Sequence, residues 1–221
     1  MTKIRVFIAD DHPMMREALK AAIDDEMDME VIGEASNGQE AVQGYQNIHP
    51  DVLIMDLFMP VKSGLEAIAE ILALDPEARI LAFTSSTEEE YISAAVQAGV
   101  LGYLFKDVHR SELLQAIRTV YQDSAFIPTN VAGKLLTSIR QKPSQVPVLV
   151  NTLTSREKDV LFLIGLGQSN QQIAAALCVS EGTIRTHIHH ILDKLHLDNR
   201  NQAILLAINL EKQGIKLRVS G

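Results

Sequence analysis

The chain places carboxylates, hydroxyls and one ammonium where short apolar runs end. Asp10 and Asp11 follow Ile4 to Ala9, Asp56 follows Val52 to Met55, Thr84 and Ser85 follow Ile80 to Phe83, and Lys106 follows Gly102 to Phe105. Asp56 is the sharpest case, a charge inside V-L-I-M-D-L-F-M-P, Val52 to Pro60. A carboxylate left unpaired in an apolar interior is strongly disfavoured, so Asp56 must meet a cation or lie where the run surfaces, with Pro60 turning the chain away. Three carboxylates on one crevice repel one another, and a hard divalent ion such as Mg²⁺ relieves that repulsion through oxygen ligands and waters. Lys106 would add a positive charge and Thr84 a hydroxyl donor, with Ser85 beside it, for a phosphoryl oxygen at the same place. An aspartate so placed is suited to act as a nucleophile and carry an aspartyl phosphate. Each residue alone also has a structural reading, because Asp11 or His12 before Pro13 carries a helix N-cap signal. Polar groups at four separate run ends favour the shared site.

Such a crevice requires strands whose carboxyl ends lie side by side. Five β-rich runs occur in the first half, Ile4 to Ala9, Glu30 to Ala35, Val52 to Met55, Ile80 to Phe83 and Gly102 to Phe105. Helical stripes fall between and after them: Met15, Leu19, Ala22 and Ile23 in Pro13 to Met27, Leu65, Ile68 and Ile71 in Gly64 to Leu74, and Leu114, Ile117 and Tyr121 in Ser111 to Tyr121. Alternating strand and helix predict an α/β doubly wound, five-stranded parallel sheet, in which ligands bind beyond the carboxyl ends of the strands.

After Asp123 the pattern changes. Asn130 to Ile139 reads as a helix and Gln141 to Val150, with two prolines, as a linker whose apolar V-P-V-L-V packs on one domain. The charge changes too. Residues 1 to 123 carry 9 basic and 22 acidic side chains, a net of -13, whereas residues 124 to 221 carry 11 and 6, a net of +5. A basic second half is compatible with a nucleic-acid partner. The single cysteine, Cys178, forms no internal disulfide and reads, within Leu177 to Val179, as a reduced core residue. The apolar runs fall short of a membrane span, so a soluble cytoplasmic protein without membrane contact is expected.

The second half is helical in pattern from Leu153 onward. Thr154 with Glu157 three residues on forms a capping-box signal, with Val160, Leu161 and Ile164 facing a core. A short helix from about Asn170 ends in a tight turn, and Ser180 then starts S-E-G-T-I-R-T-H-I-H-H-I-L-D-K-L. At about 100° per residue, Ile184, Ile188, Ile191, Leu192 and Leu195 share one stripe, while Thr183, Arg185, Thr186, His189 and His190 take the other side. Helix, turn and a second helix bearing Arg, Thr and His is the geometry that enters a DNA major groove. With Ser180 and Lys194 these residues form the candidate DNA-contacting set. Arg185 is suited to guanine or to phosphate, and the types alone do not separate the two. The last helix, Asn201 to Gln213, carries one row of Ile204, Ala207, Ile208 and Glu211 and another of Ala203, Leu206 and Leu210. One row closes the domain and the other is expected to meet a partner, the alternative being that both are buried.

The first half closely resembles the receiver domain of two-component response regulators. The resemblance rests on A-D-D-H-P (Ala9 to Pro13), D-L-F-M-P (Asp56 to Pro60), Thr84 and G-Y-L-F-K (Gly102 to Lys106). It implies that Asp10, Asp11 and Asp56 bind Mg²⁺, with the Phe58 carbonyl as a further ligand. It also implies that Asp56 accepts phosphate from a sensor histidine kinase, that Thr84 and Lys106 contact the phosphoryl group, and that Tyr103 is a switch aromatic. The Phe58 ring is expected to overhang the site and slow water attack. The second half resembles the LuxR-type helix-turn-helix of NarL/FixJ regulators through L-T-S-R-E, G-Q-S-N-Q-Q-I-A, V-S-E-G-T-I-R-T-H, I-L-D-K-L and R-N-Q-A. That resemblance implies double-stranded DNA as a ligand and a homodimer on paired half-sites. Arg185 stands where lysine is frequent in the family.

The expectation is therefore a phosphorylation-controlled, DNA-binding transcription regulator and not an enzyme. Residues 1–123 are expected to form the receiver, 124–150 a connecting helix and linker, and 151–221 a small all-α DNA-binding domain. Alternatives are DNA binding independent of phosphate, an aspartyl-phosphate phosphotransferase, or a protein-binding adaptor. Against the phosphotransferase, Phe58 fills the second position of the D-x-D pair typical of haloacid-dehalogenase phosphatases.

Overall fold

The computed structural model describes residues 2–127, 149–197, 199–212 and 217. Two compact units emerge, one holding residues up to 121 with 126–127, the other 122–125 with the described residues from 149 onward. The expected helix at 130–139 and most of the expected linker lie outside the described residues.

In the first unit, β1 (Ile4–Ala9), β2 (Met29–Ala35), β3 (Val52–Met55), β4 (Ile80–Thr84) and β5 (Gly102–Phe105) form one parallel sheet in the order β2-β1-β3-β4-β5. Between and after them run α1 (Pro13–Asp24), α2 (Gly38–Ile48), α3 (Gly64–Leu74), α4 (Glu89–Ala98) and α5 (Arg110–Tyr121). Because β1 sits between β2 and β3, the chain leaves β1 toward one side and β3 toward the other, which opens a crevice at their carboxyl ends. β3 and β4 are buried at every position, as expected for central strands covered on both faces.

Three differences from the sequence reading stand out. α1 stops at Asp24, three residues before Met27, since the Asp24 side chain accepts from Val31 N–H at 2.8 Å and Met27 turns into solvent. The sequence reading defines no helix over α2 or α4: α2 buries Gly38, Ala41, Val42 and Tyr45, where small residues leave a faint apolar stripe, and α4 buries only Ile92, Ala95 and Val96 over ten residues. Tyr121, assigned to the buried stripe of α5, is exposed and lies under the Arg79 guanidinium.

The second unit packs α6 (Ser155–Gly165), α7 (Asn170–Leu177), α8 (Glu181–Leu195) and α9 (Arg200–Lys212) around one core. Thr154 and Glu157 make the expected capping box, Ser169 and Gln172 make a second, and Ser180 caps α8 by accepting from Thr183 N–H. Val160, Leu161, Ile164, Ile173, Ile184 and Ile191 are all fully enclosed. Leu149 and Val150, the end of the apolar V-P-V-L-V, pack on this core.

Two expectations fail here. Cys178 is exposed, not a core residue, because it ends α7 in the left-handed conformation, φ 54°, and the reversal points its side chain outward. The second row of α9 is not free for a partner: Ala203, Ile204, Leu206, Ala207 and Leu210 from both rows are buried, and only Glu211 is exposed. Among the described residues α9 fills this core from two sides, with Ala207 pressed against Gly165 so closely that a Cβ there would stand 2.7 Å from its methyl.

Candidate functional site

Burial and local turns converge three carboxylates and an ammonium at the β1/β3 crevice. Asp10 and Asp56 are nearly fully buried at the ends of their strands, and Asp11 is partly exposed. Their backbone is pinned, with Asp10 N–H donating to Ala35 O at 3.1 Å and Asp56 N–H to Ala9 O at 2.8 Å. Arg16, from the second turn of α1, donates to Asp10 O at 2.7 Å and pairs with Glu34 at 3.3 Å, so it fixes the turn at which Asp10 and Asp11 diverge. Gly64 does the same for β3. A Cβ there would lie 1.9 Å from Asp56 O, so only glycine lets α3 start against the phosphoacceptor candidate.

Lys106 Nζ stands 2.7 Å from Asp56 Oδ2 and 2.7 Å from Asp10 Oδ2, hydrogen-bonded to the first and in ion-pair contact with the second. Phe58 N–H donates to Asp56 Oδ1 at 3.2 Å. Burial pushes the Asp56 carboxyl above its ordinary range, and the Lys106 ammonium opposes this without cancelling it. For Lys106, burial pulls the ammonium down, but its contacts with Asp10 and Asp56 outweigh that and hold it above the ordinary lysine range. One ammonium thus faces three carboxylates, and the surplus negative charge is what a cation would neutralise. One ligand atom from each of Asp10, Asp11, His12 and Asp56 lies within 4.8 Å of the others. Opposite ligands of an octahedral Mg²⁺ stand about 4.2 Å apart, so the oxygens present fit a hard divalent ion after a small contraction.

The other expected residues are arranged around this cluster. Thr84 is buried at the end of β4, its Oγ1 accepts from Ser86 N–H at 3.2 Å, and its carbonyl accepts from Lys106 N–H at 2.9 Å. Ser85 is exposed at the turn beyond it. Tyr103 is fully enclosed, with its hydroxyl 3.4 Å from Ser86 O, and burial raises its phenol above the ordinary value. Phe58 is exposed, and its ring is propped edge-on against Tyr91 of α4 with centroids 4.6 Å apart. His12, rather than Asp11, is the N-cap of α1, and it makes no side-chain capping bond.

In the second unit, α8 turns Ile184, Ile188, Ile191 and Leu195 inward. Thr183, Thr186, His189 and His190 are exposed on its other side, and Arg185 is partly exposed. Ser180 is exposed at the start of the helix, where its Oγ meets Thr183 Oγ1 at 2.8 Å. Lys194 departs from the expectation of DNA contact. Its Nζ donates to both oxygens of the buried Glu157 carboxylate at 2.8 Å, which ties α8 to the capping box of α6. A lysine in the last turn of a helix whose neighbour buries a carboxylate is drawn inward, and that pairing is invisible from α8 alone. Arg200 was likewise missed. It donates to Asn170 Oδ1 and to Gln168 O, each at 2.7 Å, and burial pulls its guanidinium down to about 10. Its only sequence signal is its place in R-N-Q-A.

Comparison with known proteins bears on both units. Residues 6–118 match the response regulator receiver domain family, and residues 151–207 match the luxR family of bacterial regulatory proteins. The uncharacterized transcriptional regulatory protein YxjL of Bacillus subtilis (strain 168) is 38% identical over 93% of this chain and 95% of its own length. The nitrate/nitrite response regulator protein NarL of Escherichia coli (strain K12) is 34% identical over 90% of this chain and 92% of its own. Among solved structures, the response regulator ChrA of a heme-sensing two-component system aligns with a TM-score of 0.53 and 32% identity, covering 98% of this chain and all of that one. Among the described residues no helix is long and apolar enough to cross a membrane.

Proposed function

Because the chain belongs to the response regulators that join a receiver domain to a LuxR-type DNA-binding domain, we propose that Asp56 is the phosphoacceptor through which a sensor histidine kinase controls its binding to DNA. The chain is a transcription regulator and not an enzyme, so the chemistry at Asp56 serves as a signal. The observation that carries the reading is Lys106 Nζ, 2.7 Å from both Asp10 and Asp56 at the crevice of the sheet.

An Asp56 carboxylate oxygen attacks the phosphorus of a phosphohistidine. The new O–P bond forms as the N–P bond breaks, and the imidazole leaves and takes up a proton. Lys106 exchanges its carboxylate contact for a phosphoryl oxygen, and Thr84 turns its hydroxyl hydrogen toward another. Asp10, Asp11, Asp56 and the Phe58 carbonyl would hold Mg²⁺, which supplies charge neutralisation when bound. Tyr103 and Ser85 border Thr84 and carry the change outward, since moving the Thr84 hydroxyl disturbs the Ser86 turn that both Thr84 and Tyr103 touch.

In the second domain, α8 enters the major groove with Ser180, Thr183, Arg185, Thr186, His189 and His190 toward the DNA. Two copies bind paired half-sites, and phosphorylation shifts that binding or pairing. The receiver spans 1–123, a connecting segment 124–150 and the DNA-binding domain 151–221, in the cytoplasm beside its kinase. The test is intact mass after acetyl phosphate and Mg²⁺. A phosphoryl adduct on the native chain that is absent from Asp56→Asn supports the assignment, and an adduct retained by the variant refutes it.

A further inference from the structure

β5 is the last strand of the sheet, so its outer edge offers main-chain groups that a further segment can join. Phe126 joins it. Its N–H donates to Leu101 O and its carbonyl accepts from Tyr103 N–H, both at 2.9 Å, which makes a parallel bridge centred on Gly102. Its side chain is partly buried and packs on the core cluster that includes Leu104, Ile117 and Val120.

The local chain is built for this return. A Cβ at Gly102 would stand 2.5 Å from Leu81 Cδ1 and 2.8 Å from Val120 Cγ2, so glycine lets the end of α5 lie directly on β5. Asp123 then takes the left-handed conformation, φ 56°, which reverses the chain just past α5. Phe126 therefore stands at the start of the segment that leads to the second domain, held by two main-chain bonds and a half-buried ring. So small an attachment opens at far less cost than the sheet itself.

The bridge also lies on the residues that a phosphoryl group would move. Tyr103 donates one of its two bonds, while its hydroxyl reaches Ser86 O in the turn that Thr84 Oγ1 holds. On its inner edge β5 pairs with β4, Tyr103 opposite Ala82 and Phe105 opposite Thr84. Thr84 and Lys106 drawn to a phosphoryl group pull β5 inward, away from Phe126.

We propose that Phe126 is the coupling residue of the switch: docked on β5 it restrains the segment leading to the DNA-binding domain, and phosphorylation of Asp56 undocks it. The inference rests on the reading of Asp56 as phosphoacceptor.

The test is amide hydrogen exchange of full-length protein, with adduct followed by intact mass and DNA affinity measured on the same samples, before and after acetyl phosphate with Mg²⁺. In the native chain the Tyr103 and Phe126 amides should be protected at first and exchange about fivefold faster or more once the adduct forms. Phe126→Asp should exchange fast from the outset, still take the phosphoryl group, and show a DNA affinity already shifted to that of the phosphorylated native chain, with further change within about twofold. Phe126→Leu, which keeps an apolar side chain on the core, should behave as the native chain. A native chain that carries the adduct yet keeps both amides equally protected overturns the inference and leaves Asp56 as phosphoacceptor. So does a Phe126→Asp chain whose amides are released but whose DNA binding still responds fully to phosphorylation, because Phe126 would then only cover the sheet edge. A native chain that takes no phosphoryl group overturns the reading of Asp56 and this inference with it.

Discussion

Lys106 of the receiver and Lys194 of the DNA-binding domain each stand 2.7 to 2.8 Å from a buried carboxylate, yet the two pairs are in opposite condition. Lys194 meets one carboxylate, Glu157, which also accepts from Thr154 N–H. Burial alone would push Glu157 up, but Lys194 and Thr154 outweigh it and hold its carboxyl below the ordinary range. Lys106 must serve Asp10 and Asp56 together, with Asp11 adjoining, and Asp56 ends above its ordinary range. A satisfied pair stabilises a fold. A pair left with surplus charge is poised to receive something, and that is the physical difference between a structural lysine and one in a site.

Breaking the surplus side has the largest expected effect. Asp56→Asn should abolish the phosphoryl adduct, read by intact mass. Neutralising that surplus with a divalent cation comes next. Mg²⁺ at about 100 times its dissociation constant should stabilise the native receiver by about 2.7 kcal/mol, and differential scanning calorimetry should show a much smaller gain for Asp56→Asn. On the balanced side, Glu157→Gln keeps the shape and removes the charge. Lys194 is partly solvated, so the loss should be about 1–2 kcal/mol in the second domain's unfolding free energy by urea titration.

pH separates the pairs by sign. Glu157, depressed in the folded state, contributes stability above its unfolded value that disappears as pH falls through the lower folded one. Asp56, raised in the folded state, does the reverse: its contribution is present below the unfolded carboxylate value, near 4, and is lost as pH rises through the folded one. Without Mg²⁺, Asp56→Asn should therefore melt a few degrees above the native receiver at neutral pH, and the gain should vanish in acid. The smallest effect expected is at the rim, where Phe58→Asn should shorten the phosphorylated lifetime a few-fold by admitting water beside Asp56, measured by loss of adduct with time. An unchanged lifetime would leave the ring with only its contact to Tyr91.

The parts legible in the sequence are those set by local periodicity. The sheet's runs were readable because buried parallel strands are continuously apolar, and the meeting of Asp10, Asp11, Asp56 and Lys106 followed from strand ends sharing one edge. What was missed depends on partners far along the chain. Lys194 reads as a surface charge until Glu157, 37 residues earlier, is buried beneath it. Both rows of α9 read as amphipathic choices until the rest of the second domain claims both. Cys178 sits in an apolar run, but a left-handed residue at a helix end turns outward whatever its neighbours prefer. Arg16 offers no motif at all, since its partners are a main-chain carbonyl and Glu34, 18 residues along on β2.

The central claim is that the surplus charge around Asp56 governs DNA binding. Its most direct test is the affinity of full-length protein for operator-library DNA, across a salt series, before and after acetyl phosphate with Mg²⁺, for the native chain and Asp56→Asn. The account predicts salt-steep binding by both, a marked change in affinity on phosphorylation of the native chain, and none in the variant. Equal affinities before and after, in a native chain shown by mass to carry the phosphoryl group, would contradict it.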